Sequence, residues 1–416
     1  MKIWKKLTQQ QIKERVHHAL DANIDYSSTG ALGIPASYLD PKVFSQDASF
    51  LEDAPFITTM VRNPNHIGCH TLSESESYFA GTQEIERELI EICAVDIFKG
   101  EVGAQDGYVA SGGTEANMQA IWIYRNYYMQ EYGASADEIC IVCSEDSHYS
   151  MDKAGNVLTL DIVKVAINNL DRIPSRQNIR QSISQAQTSG KKYFIVVCNM
   201  MTTMFGSVDN PTHYIEVLNE LNAEYKLHVD GAYGGFYFPF ASDSNELNFA
   251  NEYVTSITID AHKMAQAPYG TGIFLIRKGY MHYANTQEAS YVKGEDYTLI
   301  GSRSGANAVA VWMILSKNGP YEWDEKVYIL QKRTKWLCDQ LTRMNIDYYR
   351  NEYSNIITIA AQSINQKIAN RFGLVPDNHT NPKWYKVVVM EHVTVEKLDA
   401  LVKAIAKYFS LIEMPQ

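Results

Sequence analysis

Short apolar runs recur along this chain, and polar segments with apolar residues at helical spacing lie between several of them. "EICIVCS", "KVAI", "YFIVVCNM", "KLHVDGAY", "SITIDA" and "TGIFLIRK" read as buried strands. "GTQEIERELIEICAVDIF" reads as a helix, and "GYVASGGTEANMQAIWIYRNYYMQEY" as strand, glycine turn and helix. A sheet whose strands are apolar throughout must be covered on both faces. The alternation therefore predicts an α/β domain with a largely parallel central sheet. A long helical stretch follows from about residue 306 to 345. Beyond it "IITIAAQ", a helix around "INQKIANRFG", "YKVVVME" and the helix "TVEKLDALVKAIAKYFSLI" predict a smaller α+β domain. The expected organisation is an N-terminal helical segment at 1–60, a large domain at 61–312 and a small one at 313–416.

Composition narrows the partners. Net charge is 37 − 48 = −11 over 416 residues, which argues against a nucleic-acid partner, since phosphates are met by clustered Lys and Arg. No stretch reaches the ~20 apolar residues that span a bilayer. The opening "MKIWKKLTQQQIKERVHHAL" is too polar for a signal peptide. It reads as an amphipathic helix, with Ile3, Leu7, Ile12, Val16 and Leu20 on one side, that packs on the body or on a second subunit. The expected location is the cytoplasm. Cys140 and Cys143 form a CxxC inside an apolar run, "EICIVCSED". No second pair completes a zinc set, so they read as buried thiols and no metal is expected.

Four segments carry chemistry. In "VASGGTEAN" (109–117) small residues end a strand and open a helix, where backbone N–H groups and the helix terminus attract an anion. In "SEDSHYSMDKAG", His148 follows a strand and offers a flat ring for stacking. In "LHVDGAYGGF" (227–236), Asp230 ends an apolar strand and Gly231 and Ala232 leave room beside it. A carboxylate there can hold a protonated ring nitrogen. In "SITIDAHKMAQAPYGTGIFLI" (256–276), Lys263 lies between two strand-like runs. A lysine drawn into a protein interior becomes a nucleophilic amine that forms a Schiff base with an aldehyde. Phosphate cradle, stacking ring, carboxylate and amine together match pyridoxal 5′-phosphate. Each segment alone has a plainer use, as turn, cap or structural histidine.

At these residues the chain resembles the group II pyridoxal-phosphate-dependent amino-acid decarboxylases over nearly its whole length. The resemblance is nearest the short histidine/serine decarboxylase branch, through "SGGTEAN", "DSHYS", "NMMTTMFGSVDN", "HVDGAYGG", "DAHKM" and "IGSRSGANAV". It implies the aspartate-aminotransferase-like fold (PLP fold type I), with a mostly parallel seven-stranded sheet and a smaller α+β C-terminal domain. It also implies an obligate homodimer with shared active sites, on whose partner residues 1–60 pack. By motif, Lys263 holds the cofactor aldehyde, Asp230 the ring nitrogen, His148 stacks on the ring and Ala232 packs on its other face. Gly113, Thr114 and His262 contact the phosphate, Thr203 lies beside the cofactor, and Gly301 and Ser302 reach the phosphate of a partner subunit. Three features depart from the family pattern. Met201 stands where a glycine is usual, Met264 where many members have Trp, and "APYGTGI" replaces a Pro- and Cys-containing segment.

The implied reaction removes carbon dioxide from an L-amino acid and returns a proton to Cα to give a primary amine. "ASYVKGEDYTLIGSRSG" resembles the family's catalytic loop and offers two proton donors, Tyr297 and Tyr291. With 27 tyrosines in the chain, plain packing is the alternative for both. Ile67, His70, Thr71 and Met201 are candidates for substrate contact, and Lys293 for meeting an acidic side chain. Arg371 in "IANRFGL" is a candidate carboxylate clamp, although its helical setting favours solvent. Other functions that the same segments allow are a carbon–carbon lyase resembling sphingosine-phosphate lyase, a decarboxylating aldehyde synthase and a non-enzymatic scaffold.

Overall fold

The computed structural model describes residues 3–25, 39–45, 47–72, 77–284 and 296–412, with side chains up to residue 408. A short strand β1 (Asn65–Ile67) precedes the main sheet. That sheet comprises β2 (Gln105–Ala110), β3 (Ile139–Ser144), β4 (Asp161–Val165), β5 (Tyr193–Asn199), β6 (Glu224–Gly231), β7 (Val254–Asp260) and β8 (Gly272–Arg277). Its seven strands run in the order β2-β8-β7-β6-β5-β3-β4. Both ladders of β8 are antiparallel and the other four are parallel. The expected mostly parallel sheet is therefore present, with β8 the reversed strand.

Both faces of this sheet are covered, and the side chains sort by the two-residue period of a strand. Cys140 and Val142 join one apolar core, and Ile139, Ile141 and Cys143 join the other. A CxxC on a strand thus sends its two thiols to opposite faces, where one ion cannot bind both. Burial pushes the Cys140 thiol up to about 12 and the Cys143 thiol up to about 11, so both stay protonated and inert.

Helix α1 (Gln9–Asp21) starts at a capping box between Thr8 and Gln11 and buries Ile12, Val16 and Ala19. These residues pack within their own chain, against α3 (Ala80–Glu91) among others. A Cβ on Gly81 would stand 2.0 Å from the Ala19 carbonyl oxygen, so glycine there permits the close approach. The apolar stripe of α1 is thus covered by the nearest apolar surface of its own chain. Helix α2 (Pro55–Arg62) follows, with Ile57 and Met60 exposed.

Strand β9 (Ser302–Ser304) pairs antiparallel with β1 and leads into the helix Gly305–Arg343. The expected boundary at 312/313 lies inside this helix, where Trp312 is buried in the main core. The helix is interrupted later, at Gly319, where φ is +67°, followed by Pro320. Left-handed backbone and a missing N–H break the ladder together. The C-terminal part forms an antiparallel sheet of β10 (Tyr348–Tyr349), β11 (Ile356–Ala360), β12 (Val375–Pro376) and β13 (Trp384–Val388), flanked by Val395–Ile412. Among the described residues, no helix is long and apolar enough to cross a membrane.

Candidate active site

Parallel strands bring their carboxyl ends to one edge of a sheet, and ligands bind in the crevice beyond it. Five such ends carry the residues singled out above. β2 runs into the glycine turn and α4 (Gly113–Tyr132), and β3 leads to His148 and α5 (Ser150–Leu158). β5 leads to Thr203, β6 ends at Asp230–Gly231, and β7 ends at Asp260, three residues before Lys263.

Lys263 Nζ lies 3.0 Å from Asp260 Oδ2, with about a third of its side chain exposed. A Cβ on Gly113 would meet that same carboxylate oxygen at 2.7 Å and Ala232 Cβ at 3.1 Å. One on Gly272 would stand 2.4 Å from the Gly112 carbonyl carbon. The glycine turn is thus wedged against β8, Ala232 and the lysine's ion pair. The first N–H groups of α4, at Gly113 and Thr114, have no partner within a helix and form an anion-binding terminus. His262 Nε2 lies 3.7 Å from Asp260 Oδ2. Two buried polar atoms here, Asp260 Oδ1 and His262 Nδ1, have no hydrogen-bond partner. Buried polar atoms are seldom left so unless a ligand completes them.

Asp230 is buried, at 6% exposure. Its Oδ1 accepts from the Ala232 N–H at 3.1 Å and its Oδ2 from Asn117 Nδ2 at 3.0 Å. His148 is half-buried, with Nδ1 2.9 Å from Ser150 Oγ. Burial holds its imidazole below the ordinary value, opposed by the Asp230 charge and helped by that of Lys263. The lowered value favours the neutral ring near pH 7.

Thr203 is exposed, and its carbonyl accepts from Lys386 Nζ at 2.9 Å. Burial lowers the Lys386 amine, and the Lys263 charge lowers it further. Met201 is 3% exposed and adopts φ +73°. Left-handed backbone costs a β-carbon residue about 1–2 kcal/mol, whereas a buried methionine is worth about 2–5 kcal/mol. Packing outweighs strain, which accounts for a methionine at a position suited to glycine.

The other candidates form a separate group. Ser302 pairs with Ile67 across the β1–β9 ladder and is exposed, with Gly301 just before it. His70, Glu86, His66 and Arg303 make a buried cluster. Arg303 Nη1 lies 2.5 Å from Glu86 Oε1 and Nη2 lies 3.3 Å from His70 Nε2, while His66 Nδ1 lies 2.5 Å from Glu86 Oε2. Two histidines and a carboxylate at these distances could suit a cation, but the guanidinium already engages Glu86 and His70. Thr71 Oγ1 accepts from the Gly107 N–H at 3.1 Å, sewing this segment to β2. Tyr297 is 9% exposed and packs with Tyr108, Phe274 and Tyr283, while its carbonyl accepts from Gln119 Nε2 at 2.7 Å. Tyr291 and Lys293 lie outside the described residues.

Asn199, at the end of β5, ties the Thr203 loop to the His148 loop. Its Nδ2 donates to Ser147 Oγ at 2.8 Å and to Asp209 Oδ2 at 2.6 Å, and its N–H donates to the same Oδ2 at 2.8 Å. Burial pushes the Asp209 carboxyl up to about 7, against the pull of these bonds. A raised carboxyl keeps its proton longer in the folded than in the unfolded chain. It therefore withdraws stability as pH rises from its ordinary 3.8 to about 7, with no further loss above. Asp209→Asn is expected to raise the unfolding free energy from urea titration by a few kcal/mol at about pH 8 and to leave it nearly unchanged at about pH 4. A variant less stable than the natural chain at pH 8 would refute this.

Residues 84–368 match the pyridoxal-dependent decarboxylase conserved domain. The chain belongs to the pyridoxal-dependent decarboxylase family. It is 48% identical over 410 residues to a tryptophan decarboxylase of Clostridium sporogenes, covering 98% of each chain. It is 26% identical to a histidine decarboxylase of Vibrio anguillarum, covering 78% of this chain and 79% of that one. The fold is shared with the L-methionine decarboxylase of Streptomyces sp. 590, with TM-score 0.72 and 19% identity over 96% and 93% of the two chains. The reaction is the pyridoxal-phosphate-dependent decarboxylation of an amino acid, so this decarboxylase is a carboxy-lyase. The wedged glycine turn, the two orphaned polar atoms and the buried carboxylate fit that cofactor.

Sequence reading missed two participants in the site and the centre of the neighbouring buried cluster. Asn117 lies one turn into α4, and its only cue was a polar side chain opening an apolar helix. Lys386 lies in "YKVVV" and reads as an outward strand residue. Arg303 sits inside "GSRSG", where Gly301 and Ser302 drew the attention.

Proposed function

We propose that this decarboxylase acts on an aromatic L-amino acid, tryptophan foremost, and releases the corresponding primary amine. The observation that carries the reading is the 48% identity to the Clostridium sporogenes tryptophan decarboxylase over nearly the whole of both chains. Local chemistry agrees. Phe205, in the Thr203 loop, packs its ring 6.0 Å from Tyr349 and 6.2 Å from Trp384. Nearby cations are already engaged: Arg172 on Asp146, Arg303 on Glu86 and Lys386 on the Thr203 carbonyl. An acidic substrate side chain would have to break one of these contacts or meet Lys293, outside the described residues.

The residues divide the work. Lys263 would hold the cofactor aldehyde and yield it to the substrate amine. Gly113, Thr114 and His262 would hold the phosphate, Asp230 the ring nitrogen, and His148 and Ala232 the two ring faces, with Thr203 alongside. The bound cofactor supplies an electron sink for the pair left at Cα when carbon dioxide departs. No rigid clamp should grip the leaving carboxylate, because ground-state binding lost at the transition state slows the reaction. Tyr297 would have to leave its apolar cluster to protonate Cα, which favours Tyr291. Ile67, His70, Thr71, Met201 and Lys293 remain the substrate-side candidates. Exposed Val43, Phe44, Phe50, Ile57, Met60, Leu299 and Ile300 are apolar surface suited to a second copy. We place the enzyme as a homodimer in the cytoplasm, with Gly301 and Ser302 serving the partner's phosphate.

The test is the purified enzyme with pyridoxal phosphate and a panel of L-amino acids, read by mass spectrometry for carbon dioxide, amine and peroxide. Tryptophan should give the highest kcat/KM, with amine as product. Acidic or imidazole substrates outrunning aromatic ones by about tenfold would sink the substrate reading, a gap of ~1.4 kcal/mol in the barrier. Stoichiometric peroxide would instead indicate an aldehyde synthase.

A further inference from the structure

Behind Asp230 and His148 runs a buried chain of hydrogen bonds whose direction can be worked out. Asn117 is 1% exposed and His228 fully buried. Asn117 Nδ2 lies 3.0 Å from Asp230 Oδ2 and 3.1 Å from Ser150 Oγ. Its Oδ1 lies 2.9 Å from His228 Nε2. His228 Nδ1 lies 2.7 Å from Ser256 Oγ, which lies 2.5 Å from the Tyr124 hydroxyl.

One assignment satisfies every member. A carboxylate only accepts, so the Asn117 amide nitrogen must face Asp230 and its carbonyl must face His228. That carbonyl only accepts, so His228 carries its proton on Nε2. Its Nδ1 then accepts from Ser256, and Ser256 accepts from Tyr124. Burial holds His228 down to about 4, so the ring stays neutral and this tautomer persists near pH 7. The second Asn117 amide hydrogen goes to Ser150 Oγ, and the Ser150 hydroxyl is left to donate to His148 Nδ1 at 2.9 Å. One amide thus governs both Asp230 and His148. His228 and Asp230 are two residues apart on β6, and His228 pairs with Ser256 across the β6–β7 ladder. The strand period places both side chains on one face of β6, towards α4.

We propose that Asn117 and His228 are positioning residues for the cofactor ring. Asn117 orients the Asp230 carboxylate and the His148 imidazole together, and His228 anchors the Asn117 amide by its carbonyl. The inference rests on the reading of Asp230 as the partner of the ring nitrogen. Without the imidazole donor the buried Asn117 carbonyl is left unpaired, and the amide is held at its nitrogen alone and can tilt away from Asp230 and Ser150. Two groups that must stay rigid would then lose their shared anchor.

The test uses the full-length enzyme and reads four quantities: pyridoxal-phosphate affinity by equilibrium dialysis, the absorbance of bound cofactor, kcat against KM, and the urea midpoint. The variants are Asn117→Leu, Asn117→Ser, His228→Leu and His228→Gln. The first three should bind the cofactor ~10–100-fold more weakly, the size of a lost hydrogen bond to a charged group. Their kcat should fall while KM for the amino acid stays within about twofold. His228→Gln places an amide N–H where Nε2–H stood and should recover cofactor affinity to within about threefold. A merely structural network would lower the urea midpoint while leaving affinity, spectrum and kcat per bound cofactor at their natural values, and that result overturns the proposal. Failure of His228→Gln to outperform His228→Leu also overturns it. If a leucine variant does not fold, Asn117→Ser and His228→Gln carry the comparison. Asp230→Asn, run in parallel, separates the two levels. If it leaves affinity and absorbance unchanged, the Asp230 reading has failed. If it lowers both while the Asn117 and His228 variants behave as the natural enzyme, the present inference alone has failed.

Discussion

Lys263→Ala should lower kcat/KM for the best substrate by on the order of a thousandfold or more, because on the proposed reading it removes the amine that receives and releases the cofactor aldehyde. Borohydride should fix the cofactor covalently to the natural chain and not to the variant, read as a mass increase. The same change removes the 3.0 Å ion pair on the buried Asp260 carboxylate, so some activity loss could arise from a disturbed turn. Lys263→Arg separates the two effects. It keeps a cation beside Asp260 but has no amine that forms a Schiff base. A chain that folds with Lys263→Arg and still traps no cofactor assigns the loss to the amine. Substantial decarboxylation by both variants would show that Lys263 is not the cofactor lysine.

Arg303→Met is expected to be the most destabilising single replacement, at about 3–5 kcal/mol near pH 7, because it leaves Glu86 buried without its counter-ion. Arg303 is 8% exposed and Glu86 1%. The guanidinium also donates to the Val109 carbonyl at 3.0 Å and to the Gly68 carbonyl. It therefore joins the end of β2, the 67–71 segment, α3 and β9 at one point. Burial pushes the Glu86 carboxyl up, but Arg303 and then His66 outweigh it and hold the carboxyl well below its ordinary 4.5. A depressed carboxyl contributes stability above its unfolded value and loses it as pH falls through the folded one. The penalty for Arg303→Met should therefore be full while Glu86 of the variant is charged and shrink at acid pH, once that carboxyl takes up the proton that Arg303 denies it in the natural chain. Urea unfolding at several pH values reads this directly. A loss under about 1 kcal/mol at pH 7 would show that the cluster is more hydrated than its burial indicates.

Much of the site was legible because its signals are local. Lys263 stands out as a lysine between two strand-like runs, Asp230 as a carboxylate ending an apolar strand, and Gly113 as a glycine where a strand meets a helix. Each needs only the two-residue and 3.6-residue periods to be placed at a carboxyl end. Tyr297 shows the limit of that reasoning. Its place in a loop like the family's catalytic one suggested a donor, whereas its burial with Tyr108 and Phe274 follows from contacts far away in sequence. Helix α1 shows the same limit. Its apolar stripe was plain, but Ile12, Val16 and Ala19 do not say which surface will cover them.

Sequence alone determined the alternating strands and helices, the parallel sheet and the candidate lysine between two strands, because periodicity and turn chemistry act over a few residues. Only the tertiary structure decided what stands behind that lysine's neighbours. Asn117 meets His228 across 111 residues and Asp230 across 113, and Arg303 meets Glu86 across 217. Polar groups that meet at such separations leave no local pattern. The sheet order brings them together, and burial then obliges each to find its partner.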